Sequence, residues 1–251
     1  MKKYTKQQAI SIITDCADKY RKNLEGCQLL FMLKDKHNKI SYLEVSFNAY
    51  NFLHLTGIKL TGEITASDFY RRCLNHKLRP EDFSFATDGT TQLKLEILPQ
   101  LMSKNISAKM AGDYSGGNPK LYTEKLAGGV KACLGFVLTE NGEYVPNTVL
   151  NVDIRDAVWT PLQVIATYRR SKNAGSYQEL VYKAKNVNWE DSSFLEDYYL
   201  ILETRARLEK SEKTIPFSDV LKDLGIDESE ILDAEDDDWR LRKCNVYSDH
   251  L

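Results

Sequence analysis

The chain has 251 residues, 42% hydrophobic and 28% charged, enough apolar material for a core and too much for a chain disordered throughout. No run of about 18 apolar residues is present, which excludes a transmembrane helix, and the opening Met1-Lys2-Lys3-Tyr4-Thr5-Lys6 lacks the apolar stretch of a signal peptide, so a cytoplasmic protein is expected. The net charge of −2 hides a split: residues 1–185 hold 26 Lys+Arg against 18 Asp+Glu, and residues 186–251 hold 8 against 18, so a basic body of +8 precedes an acidic segment of −10.

Residues 5–22 predict an amphipathic helix, with Ala9, Ile10, Ile13, Cys16, Ala17 and Tyr20 at three-to-four spacing and Thr5 as its cap. After Gly26, residues 27–33 and 40–47 read as two strands joined by a turn at 36–39, a β-hairpin. Residues 48–57 predict a short helix or turn closed by Gly57. A helix opens at 65–68 and runs through Leu74, and Pro80 looks like another helix start. Residues 91–104 predict a helix bent at Pro99.

From there the pattern becomes strand-like: 106–114, 132–139, 144–152, 163–170 and 179–184, with Glu140-Asn141-Gly142-Glu143 as a hairpin turn. Successive strands with tight turns predict an antiparallel meander. The expected fold is α+β, with N-terminal helices and an antiparallel sheet in a domain spanning 1–185. A mostly helical acidic extension follows over 186–251. It holds a helix over 193–210, a short helix from Ile215 to Gly225 and the acidic stretch at 234–239.

The five cysteines and four histidines fit no disulfide framework and no metal-binding spacing, so reduced buried thiols and no metal site are expected. No phosphate loop, dinucleotide fingerprint, zincin helix or nucleophile elbow occurs. Gly116-Gly117 and Gly128-Gly129 read as turns between strands. A positive body suits polyphosphate ligands, and an attached acidic segment competes for the same surface. Otherwise the segment is a solvated appendage.

Three strings carry polar chemistry. In Phe52-Leu53-His54-Leu55-Thr56-Gly57, an imidazole and a hydroxyl stand on an apolar segment. Imidazole is a general acid or base near neutral pH, and a structural histidine beside a helix end is the alternative. The second string runs from Tyr144 through Thr148 to Arg155. The third is Tyr168-Arg169-Arg170-Ser171-Lys172, followed by Tyr177. Arg and Lys suit phosphate, and Tyr stacks on bases or donates a proton. Ordinary sheets carry the same residue types. Strand alternation puts Tyr168 and Arg170 on one face and Arg169 on the other.

Those strings in that order, together with Leu134-Gly135-Phe136, resemble a phage- and mobile-element-associated nuclease family. It is type four of the barnase, EndoU, colicin and RelE-like (BECR) group, and the resemblance covers roughly residues 20–186. It implies an α+β nuclease fold and metal-independent RNA cleavage by transfer to the neighbouring 2′-hydroxyl, with no cofactor. By this resemblance His54 is the acid/base and Thr56 orients it or contacts phosphate. Arg169 or Lys172 stabilises charge, and Tyr177 binds a base or assists proton transfer. Thr148, Arg155, Tyr168 and Arg169 complete the substrate contacts. RNA is the expected partner, with an inhibitor protein or host target as a further class and no membrane. A non-catalytic nucleic-acid- or protein-binding module on the same scaffold is the rival reading, and a nucleotide-handling transferase a third.

Overall fold

Helix α1 (Lys6–Asn23) opens on a reciprocal cap. The Gln8 backbone N–H donates to Thr5 Oγ1 at 3.2 Å, and the Thr5 N–H donates to the Gln8 side chain at 2.9 Å. Its stripe of Ala9, Ile13, Cys16, Ala17 and Tyr20 is buried, as the periodicity predicts. The computed structural model describes residues 3–116, 122–185, 187, 194–210 and 217–225. Two compact units divide the chain, Met1–Phe194 and Leu195–Leu251.

In the first unit, β1 (Cys27–Lys34) and β2 (Ile40–Ser46) form the expected hairpin. A 3-10 turn at Ala49–Asn51 leads into α2 (Phe52–Thr56). Next come β3 (Ile58–Leu60), α3 (Ala66–Leu74), a 3-10 turn at Pro80–Asp82 and β4 (Phe83–Phe85). Helix α4 (Thr90–Leu101) contains Pro99. The second half carries β5 (Met110–Asp113), β6 (Lys125–Gly128), β7 (Cys133–Leu138) and β8 (Tyr144–Leu150). Then follow α5 (Ile154–Ala157), β9 (Leu162–Ser171) and β10 (Glu179–Lys183). In the second unit, α6 (Phe194–Glu209) continues from the last residue of the first, and α7 (Phe217–Leu224) follows. The acidic stretch at 234–239 lies outside the described residues.

Among the described residues the main sheet has eight strands in the order β1-β2-β8-β7-β6-β5-β9-β10, with β1 also paired to β9. The fold is α+β as expected, but the sheet is mixed rather than antiparallel. Strand β2 meets β8 in parallel at Val45 and Tyr144, while the other pairings are antiparallel. Hairpin turns fix only the direction of consecutive strands. The direction in which β8 meets β2, far away in sequence, leaves no local signal.

Register assigns each residue a face. Leu29, Phe31 and Leu33 of β1 join the core cluster that also holds the α1 stripe, Phe52 and Leu55 of α2, and Leu95 and Leu98 of α4. That is the helical face. The alternate positions take the outer face: Gln28 lies opposite Ser46 and Arg170, and Leu30 opposite Glu44 and Tyr168. Toward β6 and β7 the outer face is capped by α5, where Leu126 and Cys133 pack with Ile154, Ala157 and Val158.

Other departures from the sequence reading have local causes. The expected strand over 106–114 is only β5, because Ile106 and Ser107 turn with φ of 48° and 54°. Ile106 is buried by that turn, which is why its apolar character resembles a strand. The Gly128-Gly129 pair is not just a turn, since Gly128 ends β6. A Cβ there would stand 2.3 Å from the Ala132 carbonyl oxygen and 2.6 Å from the Cys133 Cα. Backbone cannot yield as a flexible side-chain tip does. Gly128→Ala is therefore expected to destabilise the fold by about 1–3 kcal/mol, read as a lower urea midpoint with an unchanged slope. Cys16, Cys27, Cys73 and Cys133 are free and buried, and burial pushes the thiols of Cys16, Cys73 and Cys133 up to about 12. Cys244 lies outside the described residues.

Candidate active site

Glu143 stands just before β8, where the hairpin turn fixes it. The Thr139 N–H and Oγ1 both donate to the Glu143 carbonyl, at 2.9 and 3.0 Å, and the Glu143 N–H donates back to Thr139 Oγ1 at 3.2 Å. Tyr144 packs on the helical core, so alternation sends Glu143 to the outer face. There its Oε1 accepts hydrogen bonds from Ser46 Oγ at 3.1 Å and Gln28 Nε2 at 3.4 Å. Its Oε2 accepts one from Lys172 Nζ at 3.1 Å.

The cluster continues across β1 to β9. Gln28 Nε2 also donates to Ser46 Oγ at 3.0 Å, and Gln28 Oε1 accepts from Arg170 Nε at 2.9 Å. Arg170 donates further to the Ala174 carbonyl at 3.1 Å and to Glu44 at 3.5 Å. Its guanidinium lies 4.7 Å from the centroid of the Tyr177 ring. Gln28 and Ser46 are 7% and 1% exposed, whereas the Glu143 and Lys172 side chains keep 38% and 28%. A dry polar floor thus carries a wet carboxylate and ammonium. This arrangement offers a proton acceptor, a proton donor and a second fixed cation within one patch.

Of the residues singled out in the sequence, Lys172 and Tyr177 belong to this cluster, and Tyr177 serves as the surface against which Arg170 lies. Tyr168 shares the outer face, with its phenol raised above the ordinary range by desolvation. Arg169 takes the other face, as alternation predicts. There it donates to the Asn23 carbonyl at 3.0 Å and to Glu179 at 2.6 Å. Thr148 is buried on β8 opposite Gly135, where a Cβ would meet its Cγ2 at 2.7 Å. Arg155 is exposed on α5 and pairs with Asp153, the cap of the same helix.

The His-Leu-Thr-Gly string is the end of α2. Thr56 is buried, donates from Oγ1 to the Leu53 carbonyl at 2.7 Å and accepts from the Ile58 N–H at 3.4 Å. Gly57 follows at φ 68°. Its missing Cβ leaves room for Lys94, whose Cδ would stand 2.7 Å away. Lys94 Nζ donates to the His54 carbonyl at 2.8 Å. The His54 imidazole is exposed, and its pKa is lowered first by desolvation and then by Lys94. Burial brings Lys94 itself down to about 8. Helix α2 packs through Phe52 and Leu55 on the helical side. The structure therefore does not bring His54 and Thr56 together with Lys172 and Tyr177, which stand on the opposite side of the sheet.

Sequence reading misses Glu143, Gln28, Ser46 and Arg170 as a group. The available signal is parity: with Tyr144 in the core its neighbour Glu143 must face out, and Gln28 is a polar position in the otherwise apolar run 27–33 of β1. Among the described residues no group of three or more His, Cys, Asp or Glu side chains is placed to hold a metal ion. No helix among them is long and apolar enough to cross a membrane.

Comparison with curated proteins and with solved structures gives no match. Residues 12–186 match the family described as phage-Barnase-EndoU-ColicinE5/D-RelE like nuclease 4. The matched stretch is well over half of the chain and takes in strands β1 to β10 and the whole Glu143 cluster. The chain thus belongs to this family of barnase-, EndoU-, colicin- and RelE-like nucleases.

Proposed function

We propose that the chain is a metal-independent endoribonuclease, borne by a phage or mobile element, that cleaves RNA by transfer to the neighbouring 2′-hydroxyl. The observation that carries this reading is the asymmetry of the Glu143 carboxylate. Ser46 and Gln28 hold Oε1 on the dry floor, while Oε2 stands beside Lys172 at the solvent edge. On this reading Oε2 takes the 2′-hydroxyl proton as O2′ bonds to phosphorus. The bond from phosphorus to O5′ then breaks, and O5′ takes a proton from the Lys172 ammonium. The proton on Glu143 passes to Lys172, 3.1 Å away, and restores both groups. Arg170 supplies positive charge to the phosphorane. On this reading Tyr168, on the same face, contacts a base.

The test is incubation of purified protein with total RNA in EDTA. The expected products end in a 2′,3′-cyclic phosphate and a 5′-hydroxyl. Cleavage only after magnesium is restored would overturn the metal-independent reading, and RNA binding without cleavage would favour a binding module.

A second reading keeps His54 as the acid/base, because desolvation and Lys94 favour its neutral, proton-accepting form. His54→Ala separates the two. With Glu143 as base, cleavage stays within about threefold of the parent. A loss of about 10²-fold or more would move the acid/base role to His54.

A further inference from the structure

Gln28 is a nearly buried polar side chain at the open end of the hairpin, opposite Ser46, and both ends of its amide are engaged. Arginine has only donors to offer, so the amide oxygen must face Arg170. The amide nitrogen must then face Ser46 and Glu143, and an ionised carboxylate offers only acceptors. The orientation is thus dictated from both sides. A charged or apolar side chain at this position would fail one partner or both.

We infer that Gln28 is a positioning residue that locks Glu143 and Arg170 into one unit, holding the carboxylate by its Oε1 and the guanidinium by its Nε. The inference rests on the reading of Glu143 as the base only for its catalytic consequence. The bridge itself stands on geometry. Without the bridge, Glu143 would keep Lys172 and Ser46 but lose its tie to Arg170, and Arg170 could swing toward Glu44. A mutual misplacement of about 1 Å is enough for large losses in rate.

Two sets of variants of the full chain test it. In Gln28→Met, kcat for RNA cleavage is expected to fall about 10–100-fold while KM stays within about threefold. A purely structural role would lower the folded fraction and leave the rate of the folded enzyme unchanged. Gln28→Glu keeps an acceptor for Arg170 but sets a carboxylate against Glu143, and is expected to lower Tm by about 2–6 °C. Adding Glu143→Gln exchanges donor and acceptor across the bridge and should return Tm to near the parent value, while cleavage stays absent. An unchanged kcat in Gln28→Met, or a double variant no more stable than Gln28→Glu, would overturn the inference. Full cleavage in Glu143→Gln alone would overturn the base reading and leave the bridge to be judged on Tm, which needs no activity.

Discussion

Glu143→Gln is expected to lower RNA cleavage by about 10²–10⁴-fold, the span associated with loss of a general base. The substitution keeps shape and changes one property. The new amide oxygen can still accept from Lys172 but cannot take a proton from a 2′-hydroxyl. The new amide nitrogen would meet the Gln28 amide nitrogen, which in the parent stands 3.4 Å from Glu143 Oε1, and a donor would face a donor. Ser46 relieves part of this conflict by accepting, since its hydroxyl rotates. The stability loss should therefore be modest, about 1–2 kcal/mol, and RNA affinity should hold because one negative charge has been removed from the patch. Initial rates, a binding isotherm at one fixed salt concentration and a urea melt distinguish these effects. Retained cleavage at the parent rate would remove Glu143 from the chemistry.

What the sequence reveals about the fold is what short-range physics controls. The α1 stripe, the Thr5 cap and the β1–β2 hairpin depend on neighbours within a few residues, and each is readable. The three-residue strands β3 and β4 are too short to show any period. Strand β6 is hidden by Gly128, whose role is a close approach to the backbone at Ala132, a long-range fact that looks locally like turn chemistry. The site divides in the same way. Lys172 and Tyr177 stand out as a basic and aromatic string, and strand parity separates Arg169 from Arg170. His54 draws attention because an imidazole beside Thr and Gly is unusual, yet Thr56 and Gly57 are fully engaged in ending α2. Glu143 looks like turn punctuation. Its partners come from β1, β2 and the end of β9, and only the assembled sheet brings them within reach.

The two adjacent arginines should give opposite phenotypes. Arg170→Ala removes the fixed cation of the outer face and is expected to lower kcat about 10²–10³-fold, the range for loss of one oriented charge-stabilising donor. It also leaves the buried Gln28 oxygen without its donor, so some stability is lost as well. Arg170→Lys should recover little of the rate, because an ammonium keeps the charge but not the planar fork that meets Gln28, Ala174 and Glu44. Arg169→Ala acts on the other face. There Arg169 ties the end of α1, through the Asn23 carbonyl, to Glu179 of β10, and the side chains of the ion pair are 20% and 38% exposed. Stability should fall by about 1–2 kcal/mol, while the rate of the folded enzyme changes less than about twofold. The loss should depend on pH in a defined direction. The Glu179 carboxyl is held below its ordinary value, first by Lys104 and then by Arg169. A carboxyl lowered in the folded state stabilises above its unfolded pKa, and that contribution fades as pH falls through the folded value. The gap between Arg169→Ala and the parent should therefore be widest near neutral pH and narrow below the ordinary Glu range. Urea midpoints across that pH range provide the measurement. A gap independent of pH would show that Arg169 acts through the Asn23 carbonyl alone, and a large loss of rate in Arg169→Ala would place both arginines in the chemistry.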